Sequence, residues 1–348
     1  MKRFTLKFIV FILLLGMLII PFNVLTDPYN VFHAGNIRDN GVEPNKNYIK
    51  TKFVLDHKDE YDSYLFGSSR AGFYDVSVLP DGNWYNLSYS EAVPSEQVNT
   101  LKALIAGGEI PKQVFLSVDN IAFLVSEEDH DDVLYRKEYP FLGGLKEKKD
   151  FYISYMDSVT TFNALKVILG HEGDDSALQK RMYSTGCEDL DIVRTATDED
   201  FKDPYWADYY SPNIEKALSD IKEFCDICKE YDIKLTVFTN PLYIKTYERS
   251  VQKGYLIFLN GLCDITPFYN FSGYNEISQY PEFWYETSHF TPEAGRKVLK
   301  RILIGDRDDN AAYGQGYGFY VLPERKEEFM TILYLQVYVT GVLEYPEK

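Results

Sequence analysis

A short apolar run that stops at a glycine and two serines most constrains the fold of this chain. The run is Tyr64-Leu-Phe, and Gly67-Ser68-Ser69-Arg70 follows it directly. Apolar residues of this kind form a buried strand, and glycine allows the backbone to turn sharply at its end. The pattern therefore predicts a buried strand that delivers the Ser69 hydroxyl to the edge of a sheet.

A second polar motif lies more than 200 residues later. Glu286 and His289 stand three residues apart, just before Thr291-Pro292, which is a favourable start for a helix. An isolated serine hydroxyl is unreactive and needs a neutral imidazole as base, with an acid to orient the ring. The sequence therefore offers Ser69 as nucleophile, His289 as base and Glu286 as the orienting acid.

The segments between the two motifs alternate between strand-like and helix-like patterns. This succession predicts right-handed parallel crossovers, and thus an α/β fold with a three-layer, doubly wound parallel sheet. Besides 64–66, strands are expected at 84–88, 113–118, 234–238 and 263–268. Helices are expected at 95–106, 213–231, 247–259 and from 292 onward.

The remaining segments do not follow this alternation of strands and helices. Residues 27–60 are polar and contain two X-Pro turns, so a stalk with a short helix over 48–57 is expected before the main α/β domain, 61–305. Residues 127–212 are rich in Glu, Asp and Tyr. They predict a partly helical insertion, which either caps the site or is a solvated excursion without a role. Residues 306–348 form a C-terminal extension that no pattern places.

The N-terminus carries a long apolar segment behind basic residues. Lys2, Arg3 and Lys7 precede an eighteen-residue run, 8–25, whose single polar side chain is Asn23. A membrane span needs about 20 such residues, and basic residues before it keep the N-terminus in the cytoplasm. We expect residues 1–26 to be an uncleaved anchor, with the rest of the chain outside the cytoplasmic membrane. A cleaved signal peptide is the rival interpretation.

Charge and cysteine content narrow the possible partners. The formal net charge of −17 argues against nucleic acid as a partner and against general adhesion to anionic lipid headgroups. Cys225 and Cys228 have the spacing of a redox motif, but they lie in a predicted helix and no second pair or nearby histidine completes a metal site. We expect ordinary helix residues there, and neither a metal nor another cofactor.

Four blocks of this chain resemble those of the SGNH (GDSL-type) hydrolase superfamily, over roughly residues 60–305. Gly67-Ser68-Ser69-Arg70 is similar to the first block of its membrane-anchored branch, the DltD- and AlgJ-like proteins of cell-envelope polymer acylation. Glu286-x-x-His289 resembles the last block, which normally reads Asp-x-x-His. Tyr85-Asn86-Leu-Ser-Tyr89-Ser90 resembles the second block without its usual glycine, and Ser117-Val-Asp119-Asn120 resembles the third.

The resemblance implies a serine hydrolase or transferase with an oxyanion hole on a flavodoxin-like sheet. Candidate oxyanion donors are the backbone N–H groups of Ser69 and Ser90 and the side-chain amides of Asn120 and Asn86. Arg70 either binds an anionic polymer or forms a salt bridge. Families of this kind often work beside a polytopic membrane acyltransferase, so such a partner is implied as well.

Two functions are consistent with these features. The first is an extracytoplasmic serine esterase or O-acyltransferase acting on a cell-envelope polysaccharide or a related polymer. The alternative is a catalytically inactive accessory protein of envelope polymer modification, which the glutamate at 286 and the missing second-block glycine favour. A tethered lipid esterase is a weaker third possibility, because nothing in the chain resembles a lipase lid.

Overall fold

One sheet with helices on both faces forms the body of the protein. A computed structural model describes residues 2–170, 173–204, 212–305 and 318–344. The sheet has six strands in this part of the chain, in the order β2-β1-β3-β4-β5-β6. The strands are β1 (Ser63–Phe66), β2 (Trp84–Asn86), β3 (Gln113–Val118), β4 (Lys234–Thr239), β5 (Phe268–Asn270) and β6 (Phe319–Val321).

Helices precede the first strand, follow the last one and lie between most of the others. Those before β4 are α1 (Lys2–Thr26), α2 (Lys46–Asp56), α3 (Pro94–Ala106), α4 (Ile121–Leu124), α5 (Leu145–Ser154), α6 (Ser158–Gly170), α7 (Asp175–Met182) and α8 (Ile214–Glu230). Those after β4 are α9 (Ile244–Gln252), α10 (Tyr255–Cys263), α11 (Pro292–Ile304) and α12 (Lys326–Val339).

The three central strands run parallel and end at one edge of the sheet. Phe66 of β1 pairs with Leu116 of β3, and Val118 of β3 pairs with Thr239 of β4. All residues of β1 and β3 are buried, as expected of strands covered on both faces. The loops after β1, β3 and β4 therefore meet at the carboxyl edge, where ligands of such sheets bind.

Each face of the sheet has its own hydrophobic core. Leu101 of α3, Phe224 of α8 and Phe258 of α10 are buried against one face. Val298 and Leu299 of α11 are buried against the other. The predicted α/β architecture with a mostly parallel sheet is thus confirmed, and helices cover both faces.

Three local predictions were wrong. The sheet is mixed, because β6 pairs with β5 in the antiparallel direction. The helix expected over 247–259 is two helices, because Gly254 adopts a left-handed conformation with φ of 103° that ends α9. Cys263 closes α10, so the last parallel strand begins only at Phe268.

The segment expected to be a stalk is instead folded onto the domain. Tyr29, Ile37 and Tyr48 are buried together with Phe151 and Tyr155 of the insertion. Aromatic residues scattered among the polar ones supply this third core, which the overall polarity of residues 27–60 concealed. The segment is therefore a packed part of the structure rather than a free spacer.

The first helix has the length and composition of a membrane span. The most apolar 18-residue stretch of the helix over residues 3–26 has a mean hydropathy of 2.8, and 7 % of that stretch is buried. That exposure distinguishes α1 from a core helix of a soluble domain. A span and a signal sequence both satisfy these criteria.

The cysteines of the described residues are all free thiols. Burial raises the pKa of Cys225 and of Cys228 to about 12, so both thiols stay protonated at neutral pH. Cys228 packs in the core between α8 and the sheet. This environment fits the interpretation of ordinary helix residues.

Candidate active site

Ser69 follows β1 at a turn that only glycine can make. A Cβ added at Gly67 would lie 2.0 Å from Ser117 Oγ and 2.6 Å from Ala71 Cβ, so the loop passes closely over β3. A short 3-10 helix then begins at Ser69 and runs to Phe73. The tight turn places Ser69 at the carboxyl edge of the sheet, as the sequence predicts.

The structure brings Ser69, His289 and Glu286 together in a linear array. Ser69 Oγ lies 2.9 Å from His289 Nε2, and His289 Nδ1 lies 2.5 Å from Glu286 Oε1. One ring nitrogen therefore faces the hydroxyl while the other faces the carboxylate. This is the arrangement of a nucleophile, a general base and an orienting acid.

Glu286 is held by its own loop. Its Oε1 also accepts a hydrogen bond from the His289 backbone N–H at 2.8 Å, and its Oε2 accepts one from the Ser288 backbone N–H at 2.5 Å. Burial disfavours the carboxylate, but the bond from the His289 ring and these N–H groups outweigh it and lower the pKa of Glu286. Glu286 is therefore ionised at neutral pH, and the longer glutamate side chain still reaches the imidazole.

Arg70 forms a buried salt bridge with Asp119, which is the second of the two roles that the sequence allows for it. The residue is 1 % exposed. Its Nε donates to Ser288 O at 2.9 Å, its Nη1 donates to Asn120 Oδ1 at 2.9 Å, and Nη1 also lies 3.1 Å from Asp119 Oδ2. The planar guanidinium thus ties the serine loop, the end of β3 and the histidine loop to one another.

Asp119 is the buried carboxylate that pairs with the Arg70 guanidinium. Its carboxylate accepts hydrogen bonds from Ser68 Oγ at 2.7 Å, from Asn240 Nδ2 at 2.8 Å and from the Ile121 backbone N–H at 2.9 Å. Burial opposes ionisation, but Arg70 and these donors outweigh it and lower the pKa of Asp119. The loops after β1, β3 and β4 are therefore fixed by one ionic network beneath Ser69.

Two of the predicted oxyanion donors are used elsewhere. The amide of Asn120 donates to Ser250 Oγ at 2.9 Å, and the amide of Asn86 donates to Ala71 O at 2.8 Å. Both side chains are fully buried, and neither is among the described residues that line the cavity over Ser69. Ser90 does line the cavity that contains Ser69, and its hydroxyl donates to Glu43. The backbone N–H groups of Ser69 and Ser90 stay as the candidate donors.

An open cavity of about 470 Å³ lies over the serine and the histidine. The loops that carry Ser69 and His289 form part of its lining. The N-terminal segment adds Glu43 and Lys46, the loop after β2 adds Ser90 and Glu91, and the insertion adds Arg136 and Glu188. Residues of the predicted insertion, 127–212, thus help to form the wall of the site. Residues 205–211 of it lie outside the described part of the chain.

Sequence reasoning missed three residues that position the site. Asp119 was recognised as part of a block without a role, and Ser288 and Asn240 were not assigned any function. Each directly follows a strand or directly precedes His289. A search for polar residues at the carboxyl ends of the predicted strands would have found Asp119 and Asn240.

The chain matches no known protein-family model and has no significant sequence match among curated proteins. The interpretation of the site therefore depends on its geometry. That geometry can support nucleophilic attack by Ser69 on an electrophilic carbonyl, with proton transfer through His289.

Proposed function

We propose that this protein is a membrane-anchored extracytoplasmic serine esterase or O-acyltransferase of SGNH type. The observation that carries the proposal is the Ser69–His289–Glu286 array, with contacts of 2.9 Å and 2.5 Å, at the floor of an open cavity. A hydroxyl, an imidazole and a carboxylate aligned next to an open cavity are typical of a catalytic site rather than of packing for stability.

Acylation would begin with attack of Ser69 Oγ on the carbonyl carbon of an ester. His289 Nε2 takes the hydroxyl proton, and Glu286 stabilises the resulting imidazolium. The tetrahedral intermediate then collapses, and the leaving alkoxide receives the proton from His289. The products of this half-reaction are an alcohol and an acyl group bound through an ester to Ser69.

Deacylation would repeat the same steps with a new acceptor. His289 removes a proton from water or from a sugar hydroxyl, whose oxygen attacks the Ser69 ester. Water gives a carboxylic acid, and a sugar hydroxyl gives an O-acylated glycan. The apolar α1 helix, as an anchor, would keep this chemistry next to the membrane, which supports a cell-envelope polysaccharide or related polymer as acceptor. A polytopic acyltransferase in the same membrane would be the donor partner.

Hydrolysis of p-nitrophenyl acetate by the full-length protein tests the proposal. Because Ser69 supplies the attacking oxygen, Ser69→Ala should lower kcat/KM by about 10³-fold or more. Ser77→Ala is the matched control, because Ser77 is an exposed serine that only contacts Asp75. Turnover retained by Ser69→Ala would refute Ser69 as the nucleophile.

The inactive accessory protein is the second candidate, because the Asn120 and Asn86 amides are both bonded within the protein. If the Ser90 backbone N–H also does not reach the oxyanion, no second donor is left among the candidates, and the serine would be aligned but poorly reactive. A fluorophosphonate probe separates the two functions, since it labels only activated serines. Labelling of the wild type and of Ser77→Ala, but not of Ser69→Ala, would exclude the accessory role. An unlabelled wild type would favour it.

A further inference from the structure

The α6 helix carries an apolar face that nothing in the described structure covers. The exposed fraction is 60 % for Phe162 and 85 % for Leu169. Their exposed apolar neighbours on the helix are Val159, Leu165 and Ile168. Contiguous apolar patches of this kind mark a binding or membrane surface.

The opposite face of α6 consists of small residues and packs on the protein. Thr160 and Ala164 are buried, and Asn163 Nδ2 donates to Tyr29 OH at 2.7 Å. The main tertiary contact of the apolar α1 helix is also with α6. The α6 helix thus lies beside α1, whose own apolar surface is largely exposed.

The segments that flank α6 make hydrogen bonds to α1 and to the N-terminal segment. Before it, Asn23 Nδ2 of α1 donates to Asp157 O at 3.2 Å. After it, the Asp39 backbone N–H donates to Asp175 Oδ1 at 2.6 Å. The 13 residues of α6 are only about 20 Å long, whereas a hydrocarbon core is about 30 Å thick. The helix is therefore too short and too restrained to be a second span.

We propose that α6 lies in the plane of the membrane interface and buries its apolar face among lipid acyl chains beside α1. An interfacial helix has this character, with one face apolar and a polar or protein-bound face opposite. Lys166, whose Nζ lies 4.7 Å from the centre of the Phe162 ring, stands at the border of the apolar face. From there its ammonium reaches the headgroup layer while its stem stays in apolar surroundings.

The acyl chains, rather than anionic headgroups, supply the attraction. The protein has a formal net charge of −17, which disfavours electrostatic adsorption to an anionic surface. The consequence is a second point of attachment to the membrane. An interfacial helix beside the span would fix both the height and the tilt of the domain relative to the membrane.

Tryptophan reporters in the full-length protein test this proposal. Phe162→Trp and Leu169→Trp report on α6, and Leu18→Trp reports on α1. Ile257→Trp is the matched control, because Ile257 is a similarly exposed apolar residue (59 %) on α10. Each variant is reconstituted into vesicles of phosphatidylcholine or of phosphatidylcholine brominated on its acyl chains, and the fluorescence added by the new tryptophan is compared.

Bromine should lower the added fluorescence of both α6 reporters by about half, because an interfacial helix is buried about 5–10 Å into the headgroup and acyl boundary. The α1 reporter should also be quenched, and the Ile257 reporter should not. Unquenched α6 reporters beside a quenched α1 reporter would overturn the proposal and assign the face to a protein partner. Equal quenching at Ile257, or none at Leu18, would also overturn it.

Discussion

The residues that line the cavity fall into two sets that are held in different ways. The triad loops, which carry Ser69 and His289, are fixed by Arg70 and Asp119, whose side chains are 1 % and 2 % exposed. The outer lining is held by ion pairs nearer the solvent, such as Lys46–Glu188, whose side chains are 15 % and 22 % exposed.

Because the two sets of residues differ in burial, they should respond differently to salt and pH. Buried ion pairs are little affected by salt, whereas pairs in contact with solvent are screened. The alignment of Ser69 with His289 should therefore be insensitive to ionic strength, while the outer lining should respond to pH and salt. The four predictions that follow test this division, from the largest expected effect to the smallest.

Glu286→Gln should lower catalysis far more than it lowers stability. An amide group in place of the carboxylate must direct N–H donors at the Ser288 N–H, the His289 N–H or the His289 ring, so the imidazole loses its orientation and its counter-charge. By analogy with other triads, kcat should fall by about 10⁴-fold. The melting temperature should stay close to that of the wild type. Ester hydrolysis gives kcat, and thermal unfolding gives the melting temperature. A large loss of stability would contradict the view that Arg70 and Asp119, rather than Glu286, hold the triad loops.

Arg70→Gln should lower both the catalytic rate and the stability of the fold. It leaves the buried carboxylate of Asp119 without its cation, and removal of one partner from such a pair costs about 3–5 kcal/mol of unfolding free energy. Turnover should fall as well, because Ser288 O loses its donor. Urea unfolding gives the free energy. Arg70→Lys keeps the positive charge but not the planar set of N–H donors. Its unfolding free energy should therefore lie between those of the wild type and of Arg70→Gln. A loss below about 1 kcal/mol for Arg70→Gln would show that the network does not hold the loops.

Glu188→Gln should change how stability depends on pH. Burial opposes ionisation of Glu188, but Lys46 and Lys50 outweigh it and lower its pKa from 4.5 to about 2. A lowered carboxyl pKa stabilises the fold above pH 4.5, and this contribution disappears as the pH falls from 4.5 towards 2.

The variant should therefore be less stable than the wild type by about 2 kcal/mol at pH 7, and the difference should shrink below pH 4. Urea unfolding at several pH values measures it. Glu199→Gln is the control, because the side chain of Glu199 is 78 % exposed in its pair with Lys202. A difference that does not vary with pH would exclude an ionised Glu188 as the source.

Ser288→Ala should have the smallest effect. The change removes Ser288 Oγ, which accepts a hydrogen bond from Arg70 Nη2 at 3.3 Å, but it keeps the backbone carbonyl that accepts from Arg70 Nε. We expect a loss of about 0.5–1 kcal/mol in unfolding free energy and a fall in turnover of less than about tenfold. An effect as large as that of Arg70→Gln would mean that the hydroxyl, rather than the guanidinium, organises the loops.

The central strands were predictable because each is rich in apolar, aromatic or β-branched residues. The strand predicted at 113–118 matches β3, and the one predicted at 234–238 differs from β4 by a single residue. Parallel strands end at a common edge. The order of elements, together with the chemistry of the two motifs, therefore predicted that Ser69 and His289 meet.

Features that depend on distant partners were not predictable. Nothing in the residues around Arg70 reveals that its guanidinium would be buried against Ser288, 218 positions away. The pairing of β6 with β5 likewise depends on packing at the edge of the sheet rather than on any periodicity in residues 319–321. The stalk prediction failed for the same reason, since polarity averaged over 27–60 hides the few aromatic residues that pack.

Ser69 and His289 are 220 positions apart, although their side chains are in contact. No fragment that lacks either loop can assemble the array, and any misfolding between the two separates them. A covalent titrant of the serine would therefore count natively folded molecules in a preparation, and the titrated fraction would serve as a direct index of refolding yield.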